Sequence, residues 1–109
     1  MTEMLIVFTT FANADEAARV VRTLVDERLI ACGNLVPGVR SIFRWEGKVA
    51  DQPEVMAVLK TRKQDWTALI SRLHELHSYQ TPECVAVRIA AGAPAYMAWL
   101  DAALEPEQT

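Results

Sequence analysis

The stretch Val39-Arg40-Ser41-Ile42-Phe43-Arg44-Trp45-Glu46-Gly47-Lys48 decides how the chain is read. Seven residues rich in β-branched and aromatic side chains run into Glu46-Gly47, where a glycine can take the turn, and the chain then resumes at Lys48. After Pro53 the extended pattern continues through Glu54 to Thr61. This is a long β-hairpin in the middle of the chain, and what flanks it determines the topology.

Upstream, Met4 to Phe8 is a wholly apolar run ending at Thr9-Thr10, as expected of a strand buried on both faces. Asn13 stands as a helix cap with Glu16 three residues later, and Ala17, Val20, Val21, Leu24 and Val25 follow at helical spacing. A first helix is predicted from about Ala14 to Arg28. Extended chain resumes at Ala31 and is interrupted by Pro37-Gly38 before the hairpin. Downstream, Trp66, Leu69, Ile70, Leu73 and Leu76 set a helical register over Gln64 to about Leu76. Cys84 to Ile89 reads as the last strand, and Pro94 opens a short helix through Tyr96, Trp99 and Leu100. The order βαββαβ plus a terminal helix predicts an α+β, ferredoxin-like antiparallel sheet with both main helices on one face. Residues 1–109 make one domain with no linker.

A chain of 109 residues, 51% hydrophobic and 23% charged, buries enough surface to fold without a metal or disulfide staple. The net charge of −3 lacks the basic footprint of a nucleic-acid binder. The three tryptophans, Trp45, Trp66 and Trp99, are too dispersed to form a base-stacking platform. No apolar run approaches the ~20 residues of a membrane span. Cys32 and Cys84 lie in apolar surroundings without CxxC spacing, which fits reduced thiols and a cytoplasmic protein.

The strands argue for self-association. Met4–Phe8, Val55–Leu59 and Cys84–Val87 are apolar on both faces, yet the second face has only the short terminal helix to cover it. The hairpin is long enough to overhang a compact sheet, and a bare two-stranded ribbon is marginal in water. A homo-oligomer is expected, with Arg40, Arg44 and Trp45 as contacts to a neighbouring copy.

Chemistry-bearing residues concentrate in Glu75-Leu76-His77-Ser78-Tyr79-Gln80-Thr81-Pro82-Glu83-Cys84. His74 and His77 share a helix face by spacing, and Glu83 can fold back toward them, so His77, His74 and Glu83 are candidate metal ligands. Imidazole with carboxylate or thiolate suits copper or zinc, and copper(II) binds such sets most tightly among the divalent ions. The same spacing also allows His77 simply to end a helix. Tyr79 and Glu83 could serve acid/base chemistry, but no activated nucleophile stands beside them. The run Lys60-Thr61-Arg62-Lys63, with Tyr79 and Trp45, suggests an alternative, a cleft between subunits for a small anionic ligand at Tyr79, Trp45, Lys60 and Arg62, and a scaffold assembly without a ligand is the further alternative. The loop Gly38 to Arg44 is a little like the phosphate loop of acylphosphatases, but it lies inside the hairpin and faces no helix N-terminus.

Taken together, Leu29-Ile30-Ala31-Cys32-Gly33-Asn34-Leu35-Val36-Pro37-Gly38, Ser41 to Lys48, Leu59-Lys60-Thr61, His77 to Glu83 and Tyr96-Met97-Ala98-Trp99-Leu100 resemble the CutA divalent-cation-tolerance proteins, in order, from Ile6 to about Leu104. The resemblance implies a homotrimer of ferredoxin-like subunits arranged like the PII signalling proteins. It also implies a binding or regulatory protein rather than an enzyme and a role in tolerance of copper and other divalent ions, and it leaves any protein partner unknown. The copper site of one relative resembles a strand-one cysteine with two adjacent histidines. Thr9 and Leu76 stand at two of those positions and His77 matches the third, so the resemblance implies weaker binding through His77 with His74, Glu83 or Cys32 as helpers.

Overall fold

The computed structural model describes residues 2–106. Strand β1 (Met4–Phe11) is followed by helix α1 (Ala14–Asp26), strands β2 (Cys32–Trp45) and β3 (Lys48–Arg62), helix α2 (Trp66–Leu76), strand β4 (Val85–Arg88) and helix α3 (Pro94–Leu104). The four strands form one antiparallel sheet in the order β2-β3-β1-β4. This is the expected α+β arrangement with its C-terminal helix.

The apolar run at the N-terminus carries its strand on to Phe11, because Thr9, Thr10 and Phe11 pair with Ala57, Met56 and Val55 of β3. Pro37-Gly38 does not break β2. It is absorbed as an irregularity between Val36 and Val39, with Gly38 at φ 76°, a left-handed conformation that glycine takes without steric cost. Helix α1 stops two residues earlier than its apolar spacing suggests, since Glu27 caps it and Arg28 turns the chain at φ 58°. Helix α2 is preceded by a single 3-10 turn, Lys63–Asp65, and the last strand is trimmed to four residues.

Alternation along the strands sorts the core. Leu5, Val7 and Phe11 of β1 and Val55, Ala57 and Leu59 of β3 meet Ala17, Val20, Val21 and Leu24 of α1 and Leu69 and Leu73 of α2 in the main core. Gly33 lets β2 lie close under α1: a Cβ there would come within 2.6 Å of Val21 Cγ1. On the other face a separate small cluster joins Met4 and Ala31 to Leu100 and Leu104 of α3. Beyond it that face is uncovered. Val85 and Val87 are exposed, and Ile6, Phe8, Met56 and Val58 are only half-buried.

Because β1 pairs with β3 only from Val55 to Arg62, the remainder of β3 pairs with β2 alone and projects as a two-stranded ribbon. The ribbon stretches the molecule to 49 Å along its longest axis. Ile42, Phe43, Trp45 and Val49 are exposed on it, and Arg40 is tied to Asp51 across it by paired bonds of 2.9 and 2.6 Å.

Candidate functional site

Four elements converge where α2 ends. Helix α2 closes with the His77 N–H donating to Leu73 O at 2.9 Å, and the extended conformation of His77 (ψ 141°) turns its ring inward. The imidazole stacks on Phe11 with ring centres 4.5 Å apart, and only 7% of the residue is exposed. Its Nε2 lies 2.7 Å from Thr10 O, and its Nδ1 accepts the Tyr79 backbone N–H at 3.0 Å. An Nδ1 that accepts carries no proton, so the ring is the neutral tautomer with Nε2–H donating to the strand.

Two buried carboxylates hold the segment that follows. Glu16 of α1 accepts the Ser78 N–H at 2.8 Å, and Glu54 of β3 accepts the Tyr79 phenol at 2.7 Å. In the expected capping box Glu16 would turn back to the Asn13 backbone. Here only half of that box forms, with Asn13 Oδ1 accepting the Glu16 N–H at 2.8 Å, and the carboxylate spans to the α2–β4 segment instead. Burial alone would raise the Glu16 carboxyl, but the Ser78 hydrogen bonds outweigh it and hold the group below its ordinary 4.5. The Tyr79 phenol is pushed well above its ordinary value, first by burial and then by the Glu54 carboxylate that accepts its proton.

Glu16, Glu54 and Thr10 were not among the candidates read from sequence. In sequence Glu16 looks like a capping residue and Glu54 like the polar start of a strand. The one signal that could have singled them out is a carboxylate at positions the pattern buries, since a buried carboxylate needs a partner.

The expected metal ligands are spread through the chain. Among the described residues no group of three or more histidine, cysteine, aspartate or glutamate side chains stands ready to hold a metal ion. His74 is exposed on the last turn of α2, Glu83 is exposed before β4, and Cys32 sits at the start of β2 with its Sγ 3.7 Å from Tyr96 Oη. Cys84 packs against the main core, and burial followed by the Glu83 charge pushes its thiol up, away from a reactive thiolate. Within one chain His77 can offer an ion its Nδ1 only if the Tyr79 amide lets go of it, and His74 and Glu83 stand exposed nearby.

Within one chain the four residues expected to line an inter-subunit anion cleft lie apart. Tyr79 meets Glu54. Lys60 lies six residues further along β3, about 20 Å away at strand spacing, where its ammonium donates to Asn34 Oδ1. Trp45 is at the opposite end of the ribbon, paired with Lys48 and 59% exposed. Arg62 is buried among the carboxylates of Asp65, Asp101 and Glu105, which outweigh the lowering effect of burial and raise its guanidinium further above its ordinary range.

The sequence model of the CutA1 divalent ion tolerance proteins matches residues 5–103. The chain belongs to the CutA family. It is 43% identical over 97 residues to the divalent-cation tolerance protein CutA of Pyrococcus horikoshii, covering 89% of this chain and 94% of that protein. The CutA of Thermus thermophilus is 40% identical over 95 residues, covering 87% and 92%. The crystal structure of CutA1 from Oryza sativa superimposes with a TM-score of 0.93 at 32% identity, covering 97% of each chain. CutA proteins are described from different compartments: a structure from Archaeoglobus fulgidus as periplasmic, a relative from Arabidopsis thaliana as chloroplastic. No helix among the described residues of this CutA chain is long and apolar enough to cross a membrane.

Proposed function

We propose that the chain contributes to divalent-cation tolerance as a homotrimer that takes a divalent ion, copper(II) before the others, at modest affinity and without catalysing a reaction. The observation that carries the metal part is the orientation of His77. Its Nε2–H is held by the Thr10 carbonyl, which is how metal-binding histidines are commonly aligned, and its Nδ1 lone pair is engaged only by a backbone amide of an irregular segment. His74 and Glu83, both exposed on the same α2–β4 region, are the available supplements, whereas Cys32 lies elsewhere on the sheet. One imidazole with exposed helpers makes a weak site, and the divalent series favours copper(II) in it.

The uncovered apolar sheet face and the overhanging ribbon support the trimer, since each would otherwise leave apolar surface in water. Both cysteines are free, which fits a reducing compartment such as the cytoplasm.

Calorimetric titration of copper(II) into the wild type, His77→Gln and His74→Ala tests the metal reading, with circular dichroism confirming that each variant is folded. The expected result is measurable binding that His77→Gln abolishes and His74→Ala weakens. Absence of heat from the wild type would reject metal binding, and unchanged heat in His77→Gln would reject His77 as its anchor. Sedimentation equilibrium tests the assembly separately, since a species at one chain mass of 12.2 kDa would reject the trimer.

A further inference from the structure

We propose that helix α3 is a latch: it opens and closes on the sheet as a unit separate from the main core, and the buried Arg62 guanidinium is its catch.

The packing is the first ground. Helices α1 and α2 share the main core, whereas α3 meets the rest through a separate cluster in which Leu100 and Leu104 cover Met4 and Ala31. Its connection to β4, Ala90 to Ala93, is exposed and without regular structure, so it can act as a hinge. A small independent cluster on a loose tether is the usual setting of a low-stability unit.

The ends of the helix are the second ground. Ala93 at the N-cap supplies no side-chain hydrogen bond, and the last turn holds no basic residue. Asp101 and Glu105 place negative charge at the C-terminal end, where the helix dipole is already negative. The helix is therefore poorly capped by its own residues. Two arginines from outside it compensate: Arg28 donates to Ala103 O at 2.9 Å, and Arg62 donates from Nη1 to Asp101 Oδ1 at 3.2 Å and to Glu105 Oε1.

The third ground is that release leaves no isolated buried charge. Arg62 also donates from Nε to Asp65 Oδ2 at 2.9 Å, and Asp65 belongs to the turn that directly follows β3. When α3 lifts, that pair remains with the sheet while water reaches the freed Nη1. The departing side chains of Asp101 and Glu105 are already 41% and 60% exposed, so they hydrate readily. The catch thus favours the closed state without making opening prohibitive. Opening removes one wall of the groove between Met4, Ile89, Gly92 and Met97 and uncovers one end of the apolar sheet face.

Amide hydrogen exchange with fragment mass spectrometry, on the protein in its native assembly, tests the latch. In the wild type, amides of residues 98–104 should exchange before those of α1 and β3. Arg62→Met, or Asp101→Asn with Glu105→Gln, should speed α3 alone by about ten- to a hundredfold, the loss expected for charged hydrogen bonds. Arg72→Met, which removes a more exposed arginine–carboxylate pairing, with Glu27 and away from α3, should leave α3 unchanged. If Arg62→Met does not fold, the double variant decides by the same criterion. Exchange of α3 in step with α1, equal acceleration of every element, or no acceleration in the double variant would overturn the proposal.

Discussion

The Tyr79 phenol donates to Glu54 Oε2 at 2.7 Å across 25 residues of sequence, tying the segment after α2 to the start of the ribbon. Tyr79→Phe removes the donor and leaves a buried carboxylate short of a partner. It should cost about 1–3 kcal/mol, read as a lower urea midpoint at unchanged slope. The phenol's raised pKa fixes the sign of the pH effect. The folded state favours the protonated form, so the stabilisation is complete below the ordinary value of 10.0 and is lost as pH rises above it toward the folded value. The wild type should lose stability faster than Tyr79→Phe in that alkaline window. Equal slopes for the two proteins would refute the assignment.

Glu16 predicts the opposite edge of the pH profile. Its carboxyl is depressed in the folded state, so its contribution is present above the ordinary 4.5 and disappears as pH falls through the lower folded value. Glu16→Gln should flatten the stability-versus-pH curve in that acid window, and above it should loosen residues 77–80, seen as faster exchange of the Ser78 amide. A variant with the wild-type acid profile would mean that the hydrogen bond to Ser78 carries no net stabilisation.

Thr9 Oγ1 is buried without a hydrogen-bond partner. Thr9→Val replaces that hydroxyl by a methyl of nearly the same shape and should stabilise the protein by about 1 kcal/mol. For a chain of this size that raises the melting temperature by about 4–8 °C. A lower melting temperature would reveal that the hydroxyl is satisfied in solution.

Gly33 sits where a Cβ would meet Val21 Cγ1 at 2.6 Å and Leu59 Cδ2 at 3.0 Å. Gly33→Ala should therefore overpack the contact between β2 and α1 and cost about 1–3 kcal/mol, measured by urea unfolding. Gly47→Ala is a different case. Open space surrounds that position, but its φ is 76°, so the cost there is backbone strain rather than a clash.

The fold was legible because its determinants are local. The Glu46-Gly47 turn, the Asn13 cap and the helical spacing from Trp66 to Leu76 each lie within a few residues, and each appears in the structure. The candidate site was legible as a place more than as a set of partners. His77 and Tyr79 stand out in sequence, but the groups they contact, Thr10, Glu16 and Glu54, come from other elements and are identified only once strand register is known. Arg62 is the sharpest case. In the run Lys60-Thr61-Arg62-Lys63 it reads as solvated charge awaiting an anion, yet its partners Asp101 and Glu105 lie 39 and 43 residues downstream, on a helix whose docking no local pattern announces.

The position of β1 in the strand order bears on how the molecule is made. Of the four strands of the sheet, the earliest in sequence lies at its centre, where Leu5 pairs with Thr61 on one side and Arg88 on the other. Neither edge of Met4–Phe11 can be satisfied until β3 and β4 have been synthesised, whereas β2 and β3 follow each other directly and need only the Glu46-Gly47 turn to meet. Pairings between residues so distant in sequence slow folding. Throughout that interval an apolar strand waits with both edges open, so the nascent chain, more than the finished protein, is the form most vulnerable to aggregation.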